Sequence, residues 1–137
     1  MANWLFKSEP EAFSWQRLVK EGKTNWDGVR NYQANNNLKA MKVGDRGFFY
    51  HSVSEKQIVG IVEVSGAWRP DPSDKTGRFG MVVVKPVTEL HNPVTLETIK
   101  GDPALKDLPL LKQSRLSVMP IPAAAWKRIC SLGGVKS

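Results

Sequence analysis

The sequence predicts an α+β fold: a small, partly open, mostly antiparallel β-barrel of five to six strands with short α-helices at its flanks. Three observations predict it. Arg46–His51, Gln57–Trp68 and Arg78–Val87 are apolar, β-branched or aromatic stretches separated only by loops, which is the pattern of sequential strands. Apolar residues recur at helical spacing near both ends of the chain. Gly60 and Gly66 interrupt the longest strand pattern, where they allow the bulges that curl a sheet. At 137 residues the chain is the size of one domain with one core, spanning 1–137 without linker, repeat or low-complexity segment.

Each element follows from local signals. Asn3–Lys7 (NWLFK) is a short apolar strand. Ser8-Glu9-Pro10-Glu11 then reads as a helix start, with Ser8 as cap, Pro10 in the first turn and Glu11 three residues on. The helix runs to Glu21 with Ala12, Trp15, Leu18 and Val19 toward the core, and Gly22 ends it. Lys23–Trp26 leads into an Asp27-Gly28 turn. A second helix is expected over Asn31–Met41, on a thin stripe of Tyr32, Leu38 and Met41. Its four Asn in seven residues weaken it, because Asn favours caps and turns; Asn35–Asn37 read as a solvated face or as amides kept for another task. In Arg46–His51, one of Phe48 and Phe49 faces the core. Arg69–Gly77 reads as a mobile surface loop. Met81–Val84 is expected to be buried on both faces of its strand. Leu90–Asp107 is broken by Pro93, Gly101 and Pro103, leaving a short helix near Thr95–Lys100. Leu110–Lys112 can form one helical turn, and Arg115–Met119 alternates as a last strand. Pro122 opens a final helix with Trp126, Ile129 and Cys130 on one stripe, stopped by Gly133-Gly134.

Composition narrows the function. Net charge is +7, from 20 Lys and Arg against 13 Asp and Glu. The excess is concentrated late: residues 69–137 carry eleven basic against six acidic residues, and no acid follows Asp107. That balance favours an anionic partner, nucleic acid first, since phosphate contacts release counterions. The single Cys130 excludes an internal disulfide and a Cys-based zinc site and implies a reducing, cytoplasmic setting. The first ten residues lack the layout of a signal peptide, no apolar run reaches membrane-spanning length, and the protein is expected to be a monomer away from membranes.

No catalytic arrangement stands out. His51 and His91 have no metal-ligand spacing, and no phosphate-binding glycine loop or Gly-x-Ser-x-Gly elbow is present. Neither enzyme activity, cofactor nor metal is therefore expected. The residue types instead suit recognition of a flat base, which needs aromatic walls, amide and hydroxyl groups for the base edge, and cations for phosphate. The candidate walls are Trp26, Tyr32, Tyr50 and Trp68. The candidate edge readers are Ser8, Asn31, Gln33 and Ser52, with His51 beside them. The candidate phosphate partners are Lys7, Arg30, Lys39, Lys42, Arg69 and Arg115. Each has a packing alternative, and composition alone favours base binding only mildly.

Four stretches sharpen this. WLFKSEP at 4–10, WDGVRNYQA at 26–34, MKVGDRGFFYHS at 41–52 and QSRLSV at 113–118 resemble the EVE domain family, in the family's order and across nearly the whole chain. The resemblance implies a PUA-like fold, related to YTH, ASCH and PUA domains. It also implies a non-catalytic nucleic-acid reader associated with modified bases such as 5-methylcytosine and its hydroxymethyl form. It assigns Lys7, Ser8 and Glu9 to the pocket mouth, Trp26 and Asp27–Tyr32 to its lining, Tyr50, His51 and Ser52 to its side, and Arg115–Ser117 to a late strand motif. The family usually has a basic residue where this chain has Asn35, which implies one phosphate contact fewer. Three alternatives remain: an RNA or tRNA binder of the same fold indifferent to modification, a nucleotide-acting enzyme using Glu9 or His51, and a protein-binding adaptor.

Overall fold

The computed structural model of the protein describes residues 2–137. In chain order the elements are β1 (Asn3–Ser8), α1 (Trp15–Glu21), β2 (Thr24–Trp26), α2 (Tyr32–Ala40), β3 (Arg46–His51), β4 (Gln57–Pro70), β5 (Gly80–Thr95), α3 (Leu96–Lys100), α4 (Pro109–Lys112), β6 (Val118–Ile121) and α5 (Ala123–Gly133), with a 3-10 turn at Pro103–Leu105.

The six strands form one sheet in the order β2-β5-β4-β3-β1-β6. The fold is α+β and the sheet mostly antiparallel, but it does not close into a barrel: β2 and β6 are free edges. It is strongly irregular between β4 and β5, where the register shifts at Ile58/Gly60, Ile61/Val62, Val64/Gly66 and Gly66/Arg69. Such bulges increase local twist, so the curl expected from Gly60 and Gly66 is present without closure. One pair breaks the antiparallel rule. β1 and β3 run parallel, in the register Lys7↔Tyr50 and Ser8↔His51. The connection between them holds α1, β2 and α2, long enough for a crossover that short loops forbid.

β3 is covered on both sides, so both of its phenylalanines are core. Phe48 stacks on Trp126 of α5 at 4.0 Å. Phe49 faces the opposite way, edge-on to Trp15 of α1 at 5.7 Å and to Trp26 at 5.9 Å. Trp126, Ile129 and Cys130 are buried as their stripe predicts.

Several local expectations are corrected. Ser8-Glu9-Pro10-Glu11 is not a helix start. Ser8 closes β1, the carbonyl of Glu9 accepts from the Ala12 and Phe13 amides, and α1 begins at Trp15 with Ser14 as its cap. Ala12 and Val19 are consequently exposed, while Trp15 and Leu18 are buried. Thr24–Trp26 pairs with Val82–Val84 as an edge strand rather than leading into a turn. Beyond Val84, β5 has no partner on that side. Pro86 and Pro93 therefore lie where β5 is paired on one side only, a setting in which proline is tolerated, and the strand runs on to Thr95 where a broken segment was expected. Residues 115–117 precede β6 instead of opening it.

The largest revision concerns α2. Asn35 is only 2% exposed. Its Oδ1 accepts from the Trp68 indole N–H and the Gly80 amide, each at 3.0 Å, and its Nδ2 donates to the Arg78 carbonyl at 3.0 Å. Asn37 donates to the Val118 carbonyl at 2.8 Å. The Asn run thus fastens α2 to the sheet, and only Asn36 is fully exposed among the three. Replacing Asn35 with leucine leaves two N–H donors and a carbonyl without their partner. The expected cost is about 2–4 kcal/mol in unfolding free energy, measurable by urea denaturation.

Candidate functional site

A cleft of about 750 Å³ opens where the end of β1, the Glu9–Phe13 turn, α1, β2 and the Asp27–Arg30 loop meet. Trp26 stands in its wall. The indole packs edge-on against Phe6 at 5.1 Å and Phe49 at 5.9 Å, so it is held by the core while half-exposed to the cleft. Phe13 lines the same cleft and packs toward Phe49 at 6.4 Å, with the Arg17 guanidinium 5.3 Å above its ring.

Polar groups surround these rings. Ser8 lines the cleft and donates its hydroxyl to the Phe13 carbonyl at 2.6 Å, leaving its lone pairs able to accept. Four cations (Lys7, Arg17, Lys23, Arg30) and three carboxylates (Glu9, Glu21, Asp27) share the lining. Arg17 is neutralised by Glu21 at 2.8 Å. Arg30 is braced by Asp71 at 3.3 Å and Ser73 at 2.9 Å and lies over Phe79. Lys7 is half-buried, donates to the Ser114 carbonyl at 2.9 Å, and has its pKa lowered by that burial.

The Asp27–Arg30 wall is fixed from behind. Asp71 is 2% exposed, and its Oδ2 accepts from the Gly28 amide at 2.8 Å as well as from Arg30. Its Oδ1 accepts from the amide and hydroxyl of Ser73 at 2.8 and 2.7 Å. Burial alone would raise its pKa; the hydrogen bonds from Gly28, Ser73 and Arg30 outweigh it and bring the pKa down to about 2. Gly28 sits at φ +74°, a left-handed conformation that glycine adopts without strain and that turns its amide toward this carboxylate. The segment expected to be a mobile loop is therefore anchored by a buried carboxylate.

A second cleft of about 430 Å³ adjoins the first and shares Lys7, Glu9 and Ser117 with it. Tyr50, Ser52 and Arg115 line this one, not the one beside Trp26.

Of the residues picked from sequence, Lys7, Ser8, Trp26 and Arg30 come together in the first cleft and Lys7, Tyr50, Ser52 and Arg115 in the second. The others line neither. Asn31 caps α2, accepting from the Ala34 amide at 2.9 Å. Tyr32 is 60% exposed and packs against Phe79 at 5.0 Å with its ring tilted. His51 is buried: its Nε2 accepts from the Trp15 amide at 3.0 Å, which leaves the proton on Nδ1 to donate to Glu55 at 2.7 Å. Trp68 spends its N–H on Asn35, and Lys39 covers its ring at 4.9 Å. Gln33, Lys42 and Arg69 are exposed elsewhere. Position 35 faces the β4–β5 connection, so the departure from the family at Asn35 removes no cation from either cleft. Phe13, Arg17, Lys23 and Asn25 were not picked. Phe13 and Arg17 were hidden by the misplaced start of α1, and Lys23 and Asn25 by the missed strand β2.

The EVE domain family model matches residues 2–132. The chain belongs to the EVE domain family. This EVE domain is similar to thymocyte nuclear protein 1 of Homo sapiens, with 34% identity over 96% of this chain and 73% of the relative. Its fold matches that of Rpa0253 from Rhodopseudomonas palustris, at 46% identity and a TM-score of 0.93 over 98% of this chain and 94% of the other. It also matches human THYN1 in complex with DNA containing 5-methylcytosine, at 32% identity and a TM-score of 0.90 over 100% of both chains. A more distant likeness concerns the fold alone. The YTH domain of Zygosaccharomyces rouxii MRB1 superposes with a TM-score of 0.62 at 18% identity, over 99% of this chain and 88% of that one. The PUA-like expectation therefore holds, with an open curved sheet in place of a barrel.

Proposed function

We propose that this EVE domain is a non-catalytic reader of nucleic acid. It takes one modified base, 5-methylcytosine or a related derivative, into the cleft beside Trp26. The observation that carries the reading is the match, over the whole of both chains, to the structure of human THYN1 in complex with DNA containing 5-methylcytosine. The chemistry of the cleft supports it. Flipping a base out of its stack costs a few kcal/mol. A core-braced indole returns about 1–3 kcal/mol by stacking. Ser8, Asn25 and Asp27 offer both donors and acceptors to the base edge, and Lys7, Lys23 and Arg30 offer charge to the flanking phosphates. The proposal includes a cytoplasmic setting, supported by the lone buried Cys130, whose thiol pKa burial pushes up to about 11.

A methyl group buried in such a cleft contributes only about 0.8 kcal/mol, close to a fourfold preference. Titration of matched oligonucleotides, with and without 5-methylcytosine and as DNA and RNA, is expected to give a preference of about that size for the modified strand. Equal affinity for modified and plain strands would instead identify an RNA or tRNA binder indifferent to modification. Turnover of a nucleotide by the purified protein, lost in Glu9→Ala, would identify an enzyme.

A further inference from the structure

We infer that the second cleft binds the nucleotide next to the base held beside Trp26, with Tyr50 and Arg115 as its polar contacts and the turn between β3 and β4 as its rim. The inference rests on the reading of the first cleft, and four observations carry it.

The two clefts are continuous. Lys7, Glu9 and Ser117 line both, and Lys7 stands opposite Tyr50 in the parallel β1–β3 register. Neighbouring strands lie about 4.8 Å apart, so the two side chains are within one nucleotide of each other. A volume of about 430 Å³ falls within the range of small-molecule sites.

Tyr50 carries an unused hydroxyl. The residue is only 2% exposed, yet its hydroxyl makes no hydrogen bond among the described residues. Among the described residues no fully buried side-chain oxygen or nitrogen lacks a partner, so the phenol oxygen is open to solvent, and the cleft that Tyr50 lines is the second one. A core tyrosine kept only for packing would have no need of that hydroxyl.

The rim is a strained turn. Val53 and Lys56 have φ of +70° and +53°, and they are the two non-glycine residues with positive φ among the described residues. Both line this cleft. A β-branched residue in the left-handed region is a genuine outlier, and strain of this kind persists only where the surroundings enforce it. Here they do. The Ser52 amide donates to the Ser8 carbonyl at 2.9 Å, His51 holds Glu55 across the turn, and the Lys56 carbonyl accepts from the Leu96 amide at 2.8 Å. The outcome is a valine 63% exposed at the mouth of the cleft, placed to meet a base or sugar, with a lysine beside it.

The charge fits phosphate. Lys7, Lys56 and Arg115 line the cleft against one carboxylate, Glu9, a more one-sided balance than in the first cleft. Among the described residues Lys56 and Arg115 form no ion pair.

The test compares two probes: 5-methyl-2′-deoxycytidine, and trinucleotides with either 5-methylcytosine or cytosine at the centre. The wild-type protein is expected to bind the modified trinucleotide at least about tenfold more tightly than the nucleoside. Tyr50→Phe is expected to lower trinucleotide affinity about fivefold and Arg115→Ala about tenfold. Arg115→Ala also flattens the dependence of log affinity on log salt by about 0.7, the share of one phosphate on a single strand. Neither variant changes nucleoside affinity. If both trinucleotides bind equally but remain sensitive to Tyr50→Phe and Arg115→Ala, the adjacent-nucleotide site stands and the modified-base reading falls. A trinucleotide no tighter than the nucleoside, or variants that weaken both probes alike at unchanged melting temperature, overturns the inference.

Discussion

Replacing Trp26 with alanine is expected to weaken binding of a 5-methylcytosine oligonucleotide by about 5- to 150-fold, the equivalent of the 1–3 kcal/mol that stacking a base on an aromatic ring contributes. The prediction follows from how the indole is held. Phe6 and Phe49 meet it edge-on at 5.1 and 5.9 Å, and the Val82 backbone pairs with its own. An aromatic surface fixed before the ligand arrives loses little side-chain entropy on binding. The same bracing means that the alanine variant also loses core packing, by about 2 kcal/mol for a half-buried ring. Affinity must therefore be measured well below the variant's melting temperature. Trp26→Phe separates the two effects. It retains an aromatic face for the base and most of the contact with Phe49, so it is expected to recover most of the affinity. If Trp26→Ala binds as tightly as the wild type while melting earlier, the indole belongs to the core alone and the cleft beside it is not the base site.

The sequence carried the strands well and the side-chain assignments unevenly, for identifiable reasons. Arg46–His51 coincides with β3 because an apolar run between a Gly-Asp turn and a polar loop admits little else. The parallel β1–β3 pairing was not legible, since pairing direction depends on how the whole chain between two strands is laid out. Trp26, which lines the first cleft, could be singled out because it belongs to a long family motif. Trp68 could not be told from it by residue type. What distinguishes them is the partner of each indole N–H: that of Trp68 is taken by Asn35, 33 positions away in sequence. His51 is a similar case. A histidine at a strand end suggests a ligand contact, but both its ring nitrogens are occupied by Trp15 and Glu55. Buried polar residues are the hardest to read, because their role is defined by a partner that only the fold supplies. For want of that partner, Asp71 reads as part of a surface loop, and Asn35 as either a solvated residue or an amide with a task the sequence does not name.

Asp71 shows what such a residue does for the site, and it leads to the second prediction of large effect. Its carboxylate receives the Gly28 amide, the Ser73 amide and hydroxyl, and the Arg30 guanidinium, which together hold the pKa at about 2 against an ordinary value of 3.8. A carboxylate depressed in this way stabilises the folded state fully above its unfolded pKa, and that contribution is lost as the pH falls from about 4 toward 2. The difference is worth about 2–3 kcal/mol. Asp71→Asn keeps the shape and removes the charge, so at pH 7 it is expected to be less stable than the wild type by about that amount. At pH 2 most of the gap should have closed, because the carboxyl is then protonated in the unfolded chain and about half protonated in the folded one. Denaturant titrations of both proteins across this range measure the gap directly; a gap that is the same at pH 7 and pH 2 would mean that the charge is not the source of the stability. The same substitution reaches the cleft. Gly28 and Arg30 lie in its wall and lean on Asp71 from opposite ends of a three-residue segment, so loosening the carboxylate frees both. Oligonucleotide affinity at pH 7 is therefore expected to fall in Asp71→Asn although the residue itself lines neither cleft. Loss of affinity without direct contact would identify Asp71 as the group that keeps the Asp27–Arg30 wall in position for the base held by Trp26.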